Sequence, residues 1–280
     1  MSSTKVVLIT GCSSGIGRAL ANEYLLLNYQ VYASARNLSS LDGWHNKNLH
    51  KVTLDVNDTH SIELAIREIK EKHGYLNCLI NNAGYAAMGA MLDINKEQLL
   101  AQFETNVFAP LQITQAASDL LVNAGKHSSS QVVNIGSVSG ITTTPFSGAY
   151  CASKSAIHNI SDALRMELSP FNIDVICVQP GAIRSQFGAN SSANLQDPST
   201  HNSRYKSIKH AIEARARASQ DNPTTAEDFA RAIVKKLQRK PKAVLRAGNG
   251  SIGLPLLKHC LPTAWLDGIL KKKFSLNKPL

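Results

Sequence analysis

Seven short apolar runs, at residues 6–9, 31–35, 51–54, 78–80, 132–135, 175–178 and 243–245, recur along the chain, and most of the intervals between them carry helical periodicity. Each run reads as a β-strand. Ile62, Ala65, Ile66 and Ile69 illustrate the intervals, since at 3.6 residues per turn they share one face of a helix. Strand and helix in alternation leave few architectures open: the expected result is an α/β protein with a doubly wound parallel sheet covered on both faces. In such a sheet ligands bind beyond the carboxyl ends of the strands, and every motif described below falls there.

One large domain can bury a substantial core with this composition, since 43% of the 280 residues are apolar and 18% charged. The five cysteines, Cys12, Cys78, Cys151, Cys177 and Cys260, are odd in number, widely spaced and without a CxxC pair. That pattern argues against a disulfide framework or a zinc site and for a reducing compartment. No cluster of His, Cys and carboxylates has metal-ligand spacing, so chemistry without a metal is expected. The first apolar run stops at Thr10-Gly11, too short for a signal peptide, and no stretch reaches the roughly 18 continuous apolar residues that span a bilayer. A cytoplasmic protein is expected.

Net charge is +10, and all of the excess lies in the tail: eleven basic residues and one acid, Asp267, follow position 234, while nineteen of each sign precede it. A nucleic-acid binder would combine such a field with a recognisable reader or stacking aromatics, and neither is evident, so nucleic acid is not an expected partner. An acidic lipid surface or an anionic substrate matches the charge better.

Residues 188–222 break the rhythm, being rich in Ser, Asn, Gln and basic residues with few large apolar ones. They read as a mobile excursion, a substrate loop or lid, because the fold resumes afterwards. Thr224-Thr-Ala-Glu227 offers a capping box, and Phe229, Ile233, Val234 and Leu237 supply a core-facing stripe.

Immediately after the first strand comes Thr10-Gly11-Cys12-Ser13-Ser14-Gly15-Ile16-Gly17, opening a helix that continues Arg18-Ala-Leu-Ala. Glycines there let the backbone approach a pyrophosphate, which exposed amides and the positive end of the helix stabilise. The spacing departs from GxGxxG, so placement between strand and helix carries the reading. Where a dinucleotide fold that prefers NAD would put a carboxylate on the ribose, the second strand ends Ala35-Arg36. An arginine can bond a 2′-phosphate that an acid would repel, which favours NADP(H). Tyr150 and Lys154 stand four residues apart in a stretch without glycine or proline, so on a helix they point the same way. An ammonium beside a phenol favours the phenolate, which suits a general acid or base.

Asn81-Asn82-Ala83-Gly84 ends the fourth strand, Ser137 follows the fifth, and Pro180-Gly181 follows the sixth. With Tyr150 and Lys154 placed thirteen and seventeen residues beyond Ser137, the ordered set resembles the short-chain dehydrogenase/reductase family over residues 5 to about 240. The resemblance implies a Rossmann-like fold in residues 1–248 with a helical C-terminal extension, 249–280. It also implies roles. Tyr150 would exchange a proton with the substrate oxygen, Lys154 would lower its pKa and hold the nicotinamide ribose, and Ser137 would orient the oxygen. Asn106 matches the helix asparagine that supports a water relay to Lys154. Asp55 and Val56 match the adenine pocket; Asn82, Ala83 and Gly84 match the strand end lining the cofactor; Thr10 matches the hydroxyl that stabilises the turn. Beyond Pro180-Gly181 the cofactor contacts would fall on Ile183 and on Ser185, the latter in place of the usual threonine. Cys12 stands where a basic residue often supports NADP specificity, leaving Arg36 to discriminate; a small inert side chain is its simplest reading. His158, four residues beyond Lys154, reads as ordinary packing rather than a relay.

Candidate substrate walls are uncharged and largely apolar: Tyr85, Met88, Phe146 and Phe187. Such a pocket suits a lipid, steroid or retinoid ketone better than a sugar. The tail alternates apolar residues with Lys258, Lys271, Lys272 and Lys273, as in amphipathic segments that lie on anionic membranes. Packing over the pocket mouth or at a subunit interface is the equal alternative. Its ending, Leu261-Pro-x3-Leu266 and then Lys272-Lys-Phe-x-Leu276, is similar to the 17β-hydroxysteroid dehydrogenase-like branch and, within it, to acyl-dihydroxyacetone-phosphate reductases. Family members are commonly dimers or tetramers, so the resemblance implies a homo-oligomer unless the lipophilic tail blocks the usual interfaces. The expectation is an NADPH-dependent carbonyl reductase. Its competitors are a hydroxysteroid or retinol dehydrogenase working oxidatively, and an NADP(H)-binding regulatory protein without turnover, against which an intact Ser137, Tyr150 and Lys154 argue.

Overall fold

The computed structural model describes residues 4–185 and 203–279. A seven-stranded sheet runs through its centre: β1 (Val6–Ile9), β2 (Gln30–Ala35), β3 (Leu49–Thr53), β4 (Cys78–Asn81), β5 (Ser130–Ile135), β6 (Ile173–Pro180) and β7 (Val244–Ala247). The strand order is β3-β2-β1-β4-β5-β6-β7, and every pairing is parallel. The order reverses between β1 and β4, where crossovers to opposite faces leave a crevice at the carboxyl ends.

Because side chains alternate across a strand, β1 feeds two cores. Val7 and Ile9 pack on one face against Leu20 and Tyr24 of α1 (Gly15–Leu26) and Phe229 and Ile233 of a later helix, Ala226–Leu237. Val6 and Leu8 pack on the other against Ile62 and Ile69 of α2 (Thr59–Lys72) and Ile113 of α4 (Ala109–Ala116), which follows α3 (Lys96–Phe103). All four β1 residues are fully buried, which stabilises by about 1.5–3 kcal/mol for each large aliphatic, an upper range. The covering layers are completed by α5 (Ser118–Gly125), α6 (Gly148–Glu167) and α8, the Ala226–Leu237 helix named above, while α7 (Lys209–Arg217) packs against Phe146 and Phe274. The tail forms α9 (Gly253–Cys260) and α10 (Thr263–Lys273), whose Leu266 is buried.

Two local expectations change. The cap of α8 is Thr225 rather than Thr224: Thr225 Oγ1 accepts from the Asp228 amide at 3.1 Å and donates to its carboxylate at 2.7 Å. Thr224 is instead drawn into the sheet end, its amide donating to Ala182 and its carbonyl accepting from Arg184. Within the excursion at 188–222, α7 is a regular helix with Ala211, Ile212, Arg215 and Ala216 buried. Small alanines let it pack closely, so few large apolar residues were needed to order it.

Candidate active site

The turn between β1 and α1 needs its glycines. Gly11 and Gly15 adopt φ of +72° and +57°, and a Cβ on Gly17 would collide with the Gly11 carbonyl and the Asn82 amide. Thr10 is buried beneath the turn, where its hydroxyl accepts from the amides of Asn82 and Ala83, both at 2.9 Å. Asn82 ties the turn to β4 by donating to the carbonyls of Thr10 (2.8 Å) and Gly11 (3.1 Å). No acid sits in the first turn of α1, and the N-cap Ser14 makes no side-chain capping bond. The open amides and helix dipole therefore face the crevice unneutralised, as a pyrophosphate requires.

A cavity of about 1090 Å³ runs from this turn along the sheet end. Gly11, Ser13, Ser14, Gly15 and Ile16 line it at the phosphate end. Ala35, Arg36, Asp55 and Val56 line the adenosine end; Asn82, Ala83, Gly84, Pro180, Gly181, Ile183 and Ser185 line the middle. Thr10 and Gly17 do not line it and act by shaping the turn. Arg36 is exposed beside buried Ala35, free to meet a phosphate, whereas Arg18 is spent on the Trp44 ring at 4.6 Å. The Asp55 carboxylate accepts from the Asn57 amide at 3.0 Å. Cys12 is fully buried, its thiol pushed up to about 12 by burial and bonded to the Ile9 carbonyl, so it is inert and no ligand meets it. These residues fit a dinucleotide: an anion cradle, an open arginine at the ribose, and space beyond a drug-sized ligand.

At the other end of the cavity, α6 places Tyr150 and Lys154 on one face, both buried, with Ser137 opposite at the end of β5. Burial pushes the Tyr150 phenol up to about 12; its hydrogen bond with Ser137 and the charge of Arg215 oppose this. The expected lowering by Lys154 is not what governs the phenol. The Lys154 ammonium lies 5.9 Å from the centre of the Tyr150 ring and donates to the Ile135 carbonyl at 2.7 Å. Burial in turn lowers Lys154 to about 8. Ser137 Oγ also accepts from the Ser139 amide at 3.1 Å, which fixes the hydroxyl at the mouth of a short turn.

Asn106 lies in a π-helical turn, Glu104–Phe108, between α3 and α4. Such turns interrupt regular helix and often mark functional sites. Its side chain is buried outside the cavity, donating to the Tyr85 carbonyl (2.9 Å) and Ser153 Oγ (3.1 Å) and accepting from the Tyr85 amide (3.1 Å). It thereby clamps the segment after β4 to α6 at Ser153, the residue next to Lys154. His158 packs behind Ser137 and accepts from its amide at 3.3 Å, which places the ring proton on Nδ1. Burial and the Lys154 charge lower it to about 4, so it stays a neutral acceptor.

Of the four residues expected to wall the substrate, Tyr85 and Met88 line this end of the cavity. Phe146 does not. Its left-handed backbone, φ +63°, and its buried ring belong to a cluster behind the wall, against Tyr205 at 5.9 Å and Phe274 at 6.4 Å. Phe187 lies outside the described residues. The wall is completed by Arg215 and Ala218 from the α7 region, whose role the sequence did not reveal, and by Leu254, Leu270, Lys273 and Phe274 from the tail, which packs over the cavity mouth.

The geometry and the comparisons with known proteins agree. Residues 5–196 match the family described as short chain dehydrogenase. The chain is 31% identical to a probable short-chain type dehydrogenase/reductase, VdlC, of Helicobacter pylori, over 95% of this chain and 96% of that one. It is 30% identical to an NADPH-dependent 3-dehydrocapnine reductase of Ornithobacterium rhinotracheale, over 96% of each. Among solved structures, a short-chain dehydrogenase from Streptomyces avermitilis superposes with a TM-score of 0.78 at 27% identity, covering 97% of this chain and 95% of its own. The chain belongs to the short-chain dehydrogenase/reductase family and is an oxidoreductase.

Proposed function

We propose that the protein is an NADP(H)-dependent reductase acting on the carbonyl of a lipophilic substrate, of lipid, steroid or retinoid type, with an acyl dihydroxyacetone phosphate among the candidates. The observation that carries the reading is the convergence of Ser137, Tyr150 and Lys154 at the inner end of a cavity whose other end is an anion-binding glycine turn. When bound, a reduced nicotinamide supplies hydride to a carbonyl carbon. Tyr150, with a pKa near 12, is protonated throughout the neutral range and donates its proton to the oxygen as negative charge develops there. Ser137 adds a second donor at that oxygen. Lys154 holds the nicotinamide ribose side of the site, and Asn106 holds the backbone around it.

The open guanidinium of Arg36 supports NADP(H), and the relative named an NADPH-dependent reductase is consistent with it. Loss of NADPH absorbance is expected with a panel of hydrophobic ketones, with NADH much the poorer donor. Arg36→Asp should raise KM for NADPH by roughly 10- to 100-fold and narrow the gap to NADH. A protein that reduces no carbonyl with either cofactor would refute the reading.

The tail supports peripheral contact with an anionic membrane. No helix of the described residues is long and apolar enough to cross a bilayer. Ile252 and Trp265 are 70% and 69% exposed, joined by exposed Leu256, Leu257 and Ile269 and flanked by Lys258, Lys271 and Lys272. Cosedimentation with phosphatidylserine vesicles, and much less with phosphatidylcholine, is expected. Replacing Trp265 and Ile269 together by Ser should abolish it without touching the cavity; equal binding by the variant would defeat the proposal.

A further inference from the structure

Helix α7 carries a cation where its packing calls for an apolar residue. Ala211, Ile212 and Ala216 form its buried stripe, and Arg215, only 8% exposed, falls on the same face. The acid of the helix does not serve it: Glu213 pairs with Arg217 on the outer side at 4.0 Å. Among the described residues no carboxylate lies within ion-pair distance of Arg215. Among the described residues its hydrogen-bond partner is Thr144, whose Oγ1 accepts from Nε at 2.6 Å and which is itself steadied by Ser147 at 2.9 Å. A guanidinium has five N–H donors in a planar fork, so the rest of the fork is turned to the cavity it lines. Burying such a charge without a counter-ion is costly, and an entering anion removes the cost while gaining paired hydrogen bonds.

Arg215 is also close to the chemistry. The adjacent Ala216 packs with Tyr150, Met88 and Ala86, and the Arg215 and Tyr150 charges are felt by one another. We propose that Arg215 is an anion-recognition residue, and that the substrate carries an acidic group, carboxylate or phosphate, within a guanidinium's reach of the carbonyl that Tyr150 protonates. The lipophilic remainder then lies along Leu254, Leu270 and Phe274, towards the mouth where Lys273 stands. The inference rests on the carbonyl-reductase reading and narrows its substrate to lipophilic oxo-acids.

The test uses the full chain with NADPH and matched ketones: a β-oxo fatty acid and its methyl ester, and a long-chain acyloxy ketone with and without a terminal phosphate. The wild type should prefer the acid of a pair in kcat/KM on the order of 10- to 100-fold. Whichever pair shows the larger preference identifies the acid. Arg215→Met should collapse the ratio of acid to neutral partner, and Arg215→Lys should retain part of it, with NADPH affinity unchanged as evidence of folding. Loss of the guanidinium also disturbs Tyr150, but that effect falls on both members of a pair and cancels in the ratio. Equal turnover of acid and neutral partner by the wild type, or a preference that survives in Arg215→Met, overturns the inference and leaves the reductase standing. If no ketone is reduced, the reductase reading fails, and calorimetry of the acids with the NADPH-loaded protein decides separately: binding lost in Arg215→Met supports the anion site, and no binding to the wild type rejects it.

Discussion

Tyr150→Phe is expected to lower kcat for ketone reduction by about 10²- to 10⁴-fold, the span of general acid catalysis, while the dissociation constant for NADPH changes little. The two effects separate because of how the ring is held. Its body packs against Ala86, Met88 and Ala216, contacts that phenylalanine preserves, whereas only the hydroxyl reaches Ser137. Ser137 keeps its bond from the Ser139 amide and borders the cavity, so the lost hydrogen bond costs about 1 kcal/mol of stability and the fold persists. Single-turnover decay of NADPH absorbance, alongside NADPH titration by fluorescence, gives both quantities. A variant that kept a tenth or more of wild-type turnover would assign the proton to another group.

Much of the site was legible because its positions are imposed by backbone geometry. A turn that brings amides to a pyrophosphate needs positive φ at Gly11 and Gly15 and no Cβ at Gly17, and these demands appear directly as residue types. Tyr150 and Lys154 share a face because a helix has 3.6 residues per turn. Strand ends were less legible, because burial there was incomplete or fell on residues outside the apolar pattern. Half-buried β3 begins at Leu49, before the apolar run, and β6 runs on through Gln179 and Pro180, which no apolar pattern marks.

The substrate end depended on packing between distant segments, which sequence order does not encode. Phe146 has the right chemistry for a wall but a left-handed backbone that commits it to the cluster behind, and Phe274, more than a hundred residues later, takes the wall. Arg215 did leave a signal, a cation on the stripe of Ala211, Ile212 and Ala216, but a segment judged by its scarcity of large side chains hid it. The phenol's titration was misread in sign: spacing put an ammonium near it and predicted a lowered pKa, while burial, invisible in sequence, pushes it up to about 12.

Lys154 yields the second large effect, and its sign follows from burial. The ammonium is charged below its pKa of about 8 and neutral above it. If the charged form holds the ribose side of the site, kcat/KM for NADPH, which reports groups of the free protein, falls as pH rises through about 8. Tyr150 cannot produce that limb, since it keeps its proton until about 12, and His158 cannot, since it loses its own near 4. Lys154→Met should therefore lower kcat/KM by roughly 100-fold or more and also flatten the profile between neutral pH and mild alkali. The variant removes the donor to the Ile135 carbonyl, so its melting temperature is to be read beside its rate. A profile that still bends near 8 in Lys154→Met would transfer the titration to another residue and leave the ammonium a structural part of the strand end.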